Sequence, residues 1–320
     1  MIQISLCMIV KNEEKVLARC LDSIVDLMDE VIIVDTGSTD KTKEIAKKYT
    51  DKIYDFQWVD DFSAARNFAF SKATMPYIYT ADADEVLNPE NHQRFQDLKE
   101  VLLPEIDIVQ MKYGNQLEHG TAYNFDEEYR PKLFKRLREF VWTEPVHEMV
   151  RLDPIVFDSD IVIDHRPHDN HAKRDFAIFQ KQIKKGLRLS KRLHHMYAME
   201  LYISGDQEDF LEAEEFFTQT ALDPNRSIDE VKEAACIASR AARLRKDAHT
   251  MLKMSLKDLL SQGSSEMCFE LGMYFLDQGD TEEAAMWFYN ARYETQPILN
   301  IHAGTDWPEE KMRELGMEVE

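Results

Sequence analysis

Tyr77-Ile78-Tyr79-Thr80-Ala81-Asp82-Ala83-Asp84 begins as an apolar run and ends in two carboxylates. The run predicts a strand covered on both faces, as in a parallel sheet. Similar runs precede it at Ile4 to Val10, Val31 to Val34 and Ile53 to Phe56. Between the runs the period changes. Val16, Leu17, Cys20, Leu21, Ile24 and Met28 recur at helical spacing, with Asn12 as the predicted N-cap. Ile45, Ala46 and Tyr49 mark a short helix, and Asp61 to Lys72 predicts another. Strand and helix alternate, which predicts an α/β fold with a doubly wound, mostly parallel sheet.

Further along, Ile106 to Met111, Pro131 to Phe134 and Ile161 to Ile163 are short strand-like runs with no long helix between them. They predict a mixed extension of the sheet. From His171 onward the pattern is helical. Leu271, Gly272, Phe275, Ala284, Phe288 and Ala291 fit a helix-turn-helix repeat with Gly279-Asp280 at its turn, and Ala213, Phe217 and Pro224 suggest a fainter copy. An ordinary helical bundle is the alternative. The expected domains are 1–170 (α/β) and 171–320 (all-α, helical-repeat-like).

No run approaches the ~20 apolar residues of a spanning helix. The first residues have no basic region before their apolar run, and Lys11-Asn12-Glu13-Glu14 follows at once, so they read as a strand and not a signal peptide. The four cysteines, at 7, 20, 236 and 268, have no paired spacing. They read as small buried groups in a reducing compartment, hence a cytoplasmic expectation with no transmembrane segment. With 39 Lys and Arg against 60 Asp and Glu the formal charge is −21. That field repels nucleic acid and anionic lipid. It also repels a diphosphate, so an anionic ligand needs a local device such as a divalent cation or a few placed cations.

Two aspartates one residue apart mean little in so acidic a chain, because Asp158-Ser159-Asp160 repeats the spacing. That second pair lies between apolar runs, where a solvated turn is expected. Asp82 instead ends a buried strand, and open α/β sheets bind ligands at the carboxyl ends of their strands. Two carboxylates there repel unless a cation joins them, and Mg²⁺ or Mn²⁺ takes one or two carboxylates plus phosphate oxygens. A helix cap is the competing reading, since Asn88-Pro89-Glu90 opens a helix soon after. Asp35 ends a second strand, before Thr36-Gly37-Ser38-Thr39-Asp40. It reads either as a hydrogen-bond acceptor for a base or ribose or as part of a capping turn.

Four segments then combine: Ile9-Val10-Lys11-Asn12-Glu13-Glu14, Val34-Asp35-Thr36-Gly37-Ser38-Thr39-Asp40-Lys41-Thr42, Phe62-Ser63-Ala64-Ala65-Arg66-Asn67 and Asp82-Ala83-Asp84-Glu85. In order and spacing they resemble family 2 glycosyltransferases. Arg130-Pro131-Lys132-Leu133-Phe134 and Trp142-Thr143-Glu144-Pro145-Val146-His147-Glu148 resemble the branch whose catalytic domain precedes tetratricopeptide-like helices, some members of which glycosylate peptides. The resemblance covers about residues 3 to 165. It implies a nucleotide-diphospho-sugar transferase sheet and inverting transfer from a nucleoside-diphosphate sugar, with a UDP-sugar the first expectation.

The same resemblance implies roles. Val10 and Glu13 would border base and ribose, and Asp35 would contact the base. Asp82 would face ribose or metal, and Asp84 would bind Mn²⁺ or Mg²⁺. Arg66 is a candidate partner for the diphosphate, the alternative being a salt bridge to Asp60 or Asp61. Inversion needs a group to take the acceptor's proton. Glu148 is the first choice and His147 the second, while the competing reading is a buried turn packed by Trp142. His165 is expected to complete the metal shell, with His168 and His171 as rivals.

Two other classes compete. A sugar nucleotidyltransferase would want a glycine-rich loop after the first strand, and Val10-Lys11-Asn12-Glu13-Glu14 has no glycine. A non-catalytic helical scaffold on a glycosyltransferase-like domain is the other. The helical half is expected to present the acceptor (a peptide, protein or glycan) or to form a homodimer. The segment from Tyr293 to Pro308 either returns towards the site or caps the last helix.

Overall fold

The computed structural model describes residues 1–114, 128–138, 140–150, 154–166, 172–259 and 262–318. The chain divides into two compact units, Met1–His171 and Ala172–Glu320.

In the first unit β1 (Ile4–Val10), β2 (Glu30–Asp35), β3 (Ile53–Asp55) and β4 (Tyr77–Thr80) lie parallel in the order β3-β2-β1-β4. They are joined through α1 (Leu17–Ile24), α2 (Thr42–Ala46) and α3 (Phe62–Lys72). Then come β5 (Glu85–Val86), α4 (Pro89–Val101), β6 (Ile108–Gly114), β7 (Glu128–Lys135), β8 (Trp142–Thr143), β9 (Met149–Val150) and β10 (Val156–His165). The sheet continues as β4-β7-β6-β10-β5, and β8 pairs with β9 alone. β7 is antiparallel to both neighbours, β10 is parallel to β6, and β5 is antiparallel to β10. This is the expected mostly parallel sheet with a mixed extension.

The apolar runs are continuous because both faces are covered. Leu6, Met8, Ile33 and Tyr79 pack with Leu17, Cys20 and Leu21 of α1 on one face. Cys7, Ile32, Val34 and Ile78 pack with Ala69 and Phe70 of α3 on the other. Alternate residues of one strand thus serve opposite layers. Each of the Leu, Ile, Val, Met and Phe side chains among them contributes about 1.5–3 kcal/mol by leaving water. Asp61 caps α3 through the Ala64 N–H at 3.1 Å, and Asn88 caps α4 through the Asn91 N–H at 2.9 Å.

Two local expectations are corrected. α1 begins at Leu17, after an N-cap at Val16 that makes no side-chain bond. Asn12 has φ +58° and is not the cap, because its side chain accepts from the Thr39 N–H at 2.8 Å. Asp158-Ser159-Asp160 is not a turn. β10 runs through it, with a register shift between Asp158 and Val162. Strand alternation leaves Asp158 and Asp160 exposed and buries Ser159, whose hydroxyl donates to the Gln110 carbonyl at 2.8 Å. Side chains of α4 blunt the far edge of β10. Arg94 donates to the Asp160 carbonyl and Asn91 accepts from the Val162 N–H, both at 2.8 Å.

The second unit consists of α5 (Ala172–Lys184), α6 (Lys191–Ser204), α7 (Gln207–Leu222), α8 (Ile228–Leu244), α9 (Ala248–Leu259), α10 (Ser265–Asp277), α11 (Thr281–Tyr289) and α12 (Asp306–Glu314). One cap recurs, at Asp206, Asp247 and Asp280. Each aspartate accepts an N–H from the helix that follows: Glu208 at 2.9 Å, Thr250 at 3.0 Å and Glu283 at 3.1 Å. Lys246 and Gly279 are left-handed, with φ +62° and +81°. The expected repeat is α10–α11, where a Cβ on Gly272 would come within 2.5 Å of the Phe288 ring. Ala213 and Phe217, the fainter copy, are buried on α7, with Phe217 against Tyr197 of α6 at 5.2 Å between ring centroids. The helices are therefore repeat-like.

The segment after α11 returns within this unit. Buried Glu266 accepts the N–H groups of Ile298, Leu299 and Asn300, and Asn300 Nδ2 donates to the Tyr202 carbonyl at 3.1 Å. All four cysteines are free and buried. Among the described residues no helix is long and apolar enough to cross a membrane.

Candidate active site

The parallel register brings Val10 beside Asp35 and Cys7 beside Thr80, so three strands end at one edge. The turns that follow are laced together. Thr36 donates its N–H and hydroxyl to the Val10 carbonyl, at 3.0 and 3.2 Å. The Asn12 N–H donates to Ser38 Oγ at 2.9 Å and the Glu13 N–H to Thr42 Oγ1 at 2.7 Å. Val10 and Glu13 are thereby fixed beside the second turn. The Asp35 carboxylate is only 1% exposed. It accepts from the N–H groups of Gly37 at 3.1 Å and Ser38 at 3.0 Å, with Lys43 Nζ at 3.5 Å. Gly37 takes φ +102°, which a side chain would resist. In this geometry Asp35 organises its turn.

Asp82 and Asp84 follow β4. Ala81 and Ala83 are buried, and a turn between the Glu85 N–H and the Asp82 carbonyl (3.2 Å) leads into β5. The Asp82 side chain is 46% exposed, with Arg66 Nη2 at 3.7 Å. Burial of its carboxyl raises its proton affinity. The cations around it, Arg66 first and then Lys132 and Arg130, outweigh this and hold the carboxyl below the usual aspartate range. Asp84 Oδ2 lies 3.2 Å from His165 Nε2. Antiparallel pairing of β10 with β5 aligns His165 with Glu85, and the Tyr113 ring packs against the imidazole at 4.8 Å. His168 and His171 lie outside the described residues.

Arg66, on α3, is engaged by Glu148. Its Nε donates to Glu148 Oε1 at 2.7 Å, with Nη2 at 2.5 Å from the same oxygen, and Nη1 donates to Thr80 Oγ1. The guanidinium also lies 4.7 Å over the Trp142 ring. Asn67, the next residue, clamps the Trp142 backbone by donating to its carbonyl at 3.0 Å and accepting its N–H at 2.8 Å. Two segments far apart in sequence, Phe62 to Asn67 and Trp142 to Glu148, thus form one wall. His147 and Glu144 carry positive φ, +46° and +73°, on either side of Pro145-Val146.

Sequence reasoning missed the layer beneath. Lys132 Nζ binds both oxygens of Glu85 at 2.7 Å, and Arg130 lies 4.1 Å over the Tyr113 ring. Pro131 inside a strand-like run was the available signal, because proline in a strand marks an edge or a bulge.

The fit of a divalent cation rests on the donor set. Among the described residues no group of three or more His, Cys, Asp or Glu is gathered to hold a metal ion. What is present is the Asp84–His165 carboxylate–imidazole pair, with Asp82 half-exposed beside it. That suits an ion which keeps water and takes its remaining ligands from a substrate's phosphates.

Residues 5–151 match the family model for glycosyl transferase family 2. A TPR repeat-containing protein of Synechococcus elongatus is 52% identical over 87 residues, 27% of this chain and 22% of that protein. The SPbeta prophage-derived glycosyltransferase SunS of Bacillus subtilis is 34% identical over 143 residues, 44% of this chain and 33% of SunS. The matches thus span a third or less of these relatives' own lengths. Among solved structures, glucosyl-3-phosphoglycerate synthase from Mycobacterium tuberculosis, in complex with Mn²⁺ and uridine-diphosphate-glucose, is 13% identical. That overlap covers 59% of this chain and 81% of the synthase, with a TM-score of 0.43.

Proposed function

Taking residues 5–151 as a family 2 glycosyltransferase domain, we propose that the chain moves a sugar with inversion from a nucleoside-diphosphate sugar, first of all a UDP-sugar, to a peptide, protein or glycan acceptor. The observation that carries this reading is the convergence of Asp82, Asp84, His165 and Arg66 at the carboxyl edge of one sheet. Asp84 and His165, with Asp82, would hold Mn²⁺ or Mg²⁺, and such an ion neutralises the leaving diphosphate. Val10 and Glu13 border the base and ribose. Asp35 reaches the base directly only if the Gly37–Ser38 turn opens, and otherwise shapes that border.

Glu148 is the proposed proton acceptor. Arg66 grips one of its oxygens through two nitrogens and so fixes where the carboxylate points. His147 is the second candidate. Arg66, 3.7 Å from Asp82, also brings to this edge the positive charge a diphosphate needs. In the helical unit a cavity of about 690 Å³, lined by Lys191, Arg192, His195, Lys232 and Ile298 among others, is the proposed acceptor-holding surface. The alternative role for this unit is homodimerisation. Four buried free cysteines support a reducing compartment, and we assign the cytoplasm.

The test is hydrolysis of nucleotide sugars with Mn²⁺ present, after a thermal-shift screen for the donor, since a bound donor raises apparent stability. Metal-dependent hydrolysis that disappears in folded Asp84→Ala supports the reading. Equal hydrolysis by that variant rejects the metal assignment. No hydrolysis of any donor by the intact chain favours a binding scaffold.

A further inference from the structure

β7 carries one residue more than its partner. Opposite β6, Leu133 aligns with Val109 and Pro131 with the adjacent Gln110, so Lys132 is the extra residue of a bulge. Pro131 has no N–H to give the ladder, and a bulge re-aims the residue it adds. Lys132 points into the protein, where it and Glu85 have side chains only 6% and 3% exposed. Its ammonium binds both Glu85 oxygens at 2.7 Å and lies 5.7 and 5.9 Å from the ring centroids of Tyr79 and Tyr113.

These contacts sit directly behind the Asp84–His165 pair. Glu85 follows Asp84 in the chain and faces His165 in the sheet. Tyr113 packs on the His165 ring. A single ammonium therefore touches the supports of both groups. Without it, Glu85 would be a buried carboxylate that has lost the partner of both its oxygens, and breaking a buried pair from one side is costly. Its carboxylate would swing outward to water, and β5 would move with it.

We infer that Lys132 is a positioning residue: by anchoring Glu85 and backing Tyr113 it holds Asp84 and His165 at the separation, now 3.2 Å, from which they bind a divalent cation together. This rests on the cation-dependent reading of the site. Lys132 is neither a metal ligand nor a donor contact in this role.

The experiment is Mn²⁺ titration followed by electron paramagnetic resonance, with UDP present and no turnover. It compares the intact chain with Lys132→Met and with the double variant Lys132→Met/Glu85→Gln, with thermal unfolding recorded for each. Lys132→Met leaves a buried carboxylate unpaired and is expected to lower stability. The double variant removes both charges, and replacing a buried pair by neutral groups of similar size is well tolerated, so it should unfold near the parent temperature. Both variants should bind Mn²⁺ about 10- to 100-fold more weakly, the loss usual for supports behind metal ligands. If Lys132→Met does not fold, the double variant decides. A folded double variant that binds Mn²⁺ within about twofold of the parent overturns the inference, because the pair is then only structural cement. Failure of the intact, folded chain itself to bind Mn²⁺ with UDP rejects the cation reading, and this inference with it.

Discussion

The two ends of the central sheet both carry carboxylates, and they treat them in opposite ways. At the amino end Glu30 is buried and saturated. It accepts from the Ser5 hydroxyl, the Lys52 ammonium, the Thr74 N–H at 2.8 Å and the Thr74 hydroxyl at 2.9 Å. Asp107, just before β6, accepts the Ile155 N–H at 3.1 Å with Arg138 at 3.3 Å. At the carboxyl end Asp82 is half-exposed, and among the described residues Asp84 has only an imidazole as its ion-pair partner, His165 Nε2 at 3.2 Å. A carboxylate with a full set of donors fixes structure. One left partly open among Arg66, Lys132 and Arg130 keeps room for a ligand. The chain uses one residue type as fastening at one end and leaves it partly open at the other.

Asp84→Ala gives the largest contrast. Removing a proposed direct ligand should lower metal-dependent donor hydrolysis by more than about 100-fold, beyond the usual loss for an outer support. Thermal unfolding should change little, since the group is at the edge and not in the core. Arg66→Ala comes next. It strands Glu148 and removes the nearest cation from Asp82. Breaking so enclosed a pair should cost about 3 kcal/mol in urea unfolding and also depress hydrolysis. Arg66→Lys should not restore activity, because one ammonium cannot reproduce the fork that reaches Glu148 and Thr80. Full activity in Arg66→Lys would reduce Arg66 to a point charge and blur the distinction between the ends.

Much of this sheet was legible because its signals are local. Ile4 to Val10 and Val31 to Val34 read as doubly covered strands and pack that way. Asp61 and Asn88 stand where the sequence predicts α3 and α4 to open, and they cap them through N–H groups three residues on. The errors fall where partners are remote. Asn12 looked like a cap, but its side chain binds Thr39, 27 positions away. For Arg66, read as a diphosphate partner with a bridge to Asp60 or Asp61 as the alternative, the contact with Glu148 lies 82 positions away and had no local sign. Lys132 and Glu85, 47 apart, gave no local sign beyond Pro131. In the helical unit one repeat stood out at Gly272 and Phe288. The capping aspartates Asp206, Asp247 and Asp280 reveal the recurrence only once their N–H partners are known.

Glu30 tests the fastening end. Burial opposes its charge, yet the bonds from Lys52, Ser5 and Thr74 prevail and lower its carboxyl to about 2 from the ordinary 4.5. A carboxyl lowered on folding contributes stability that is whole above pH 4.5 and is lost as pH falls towards 2. Glu30→Gln should therefore be less stable than the parent at neutral pH, and the gap should close through that window. Lys52 is 49% exposed, so solvent screens part of the effect, and about 2 kcal/mol is expected at pH 7. Hydrolysis per folded molecule should be unchanged. A gap that persists at pH 2 would mean the loss is one of packing and not of charge.

Asp158→Ala should do least, and for that reason it is the strictest test. Asp158-Ser159-Asp160 has the same spacing as Asp82-Ala83-Asp84, but it lies within β10, with its carboxylates exposed and its middle residue buried. Gln110 Nε2 donates to Asp158 Oδ1 at 3.1 Å on the surface, a bond of small net worth in water. Stability should stay within about 0.5 kcal/mol of the parent, the usual range for surface substitutions. Metal-dependent hydrolysis should stay within about twofold, measured in the same assay as Asp84→Ala. If the two variants lost hydrolysis equally, position at the strand end would not be what distinguishes the pairs, and the proposed site at the carboxyl edge would fail on its central premise.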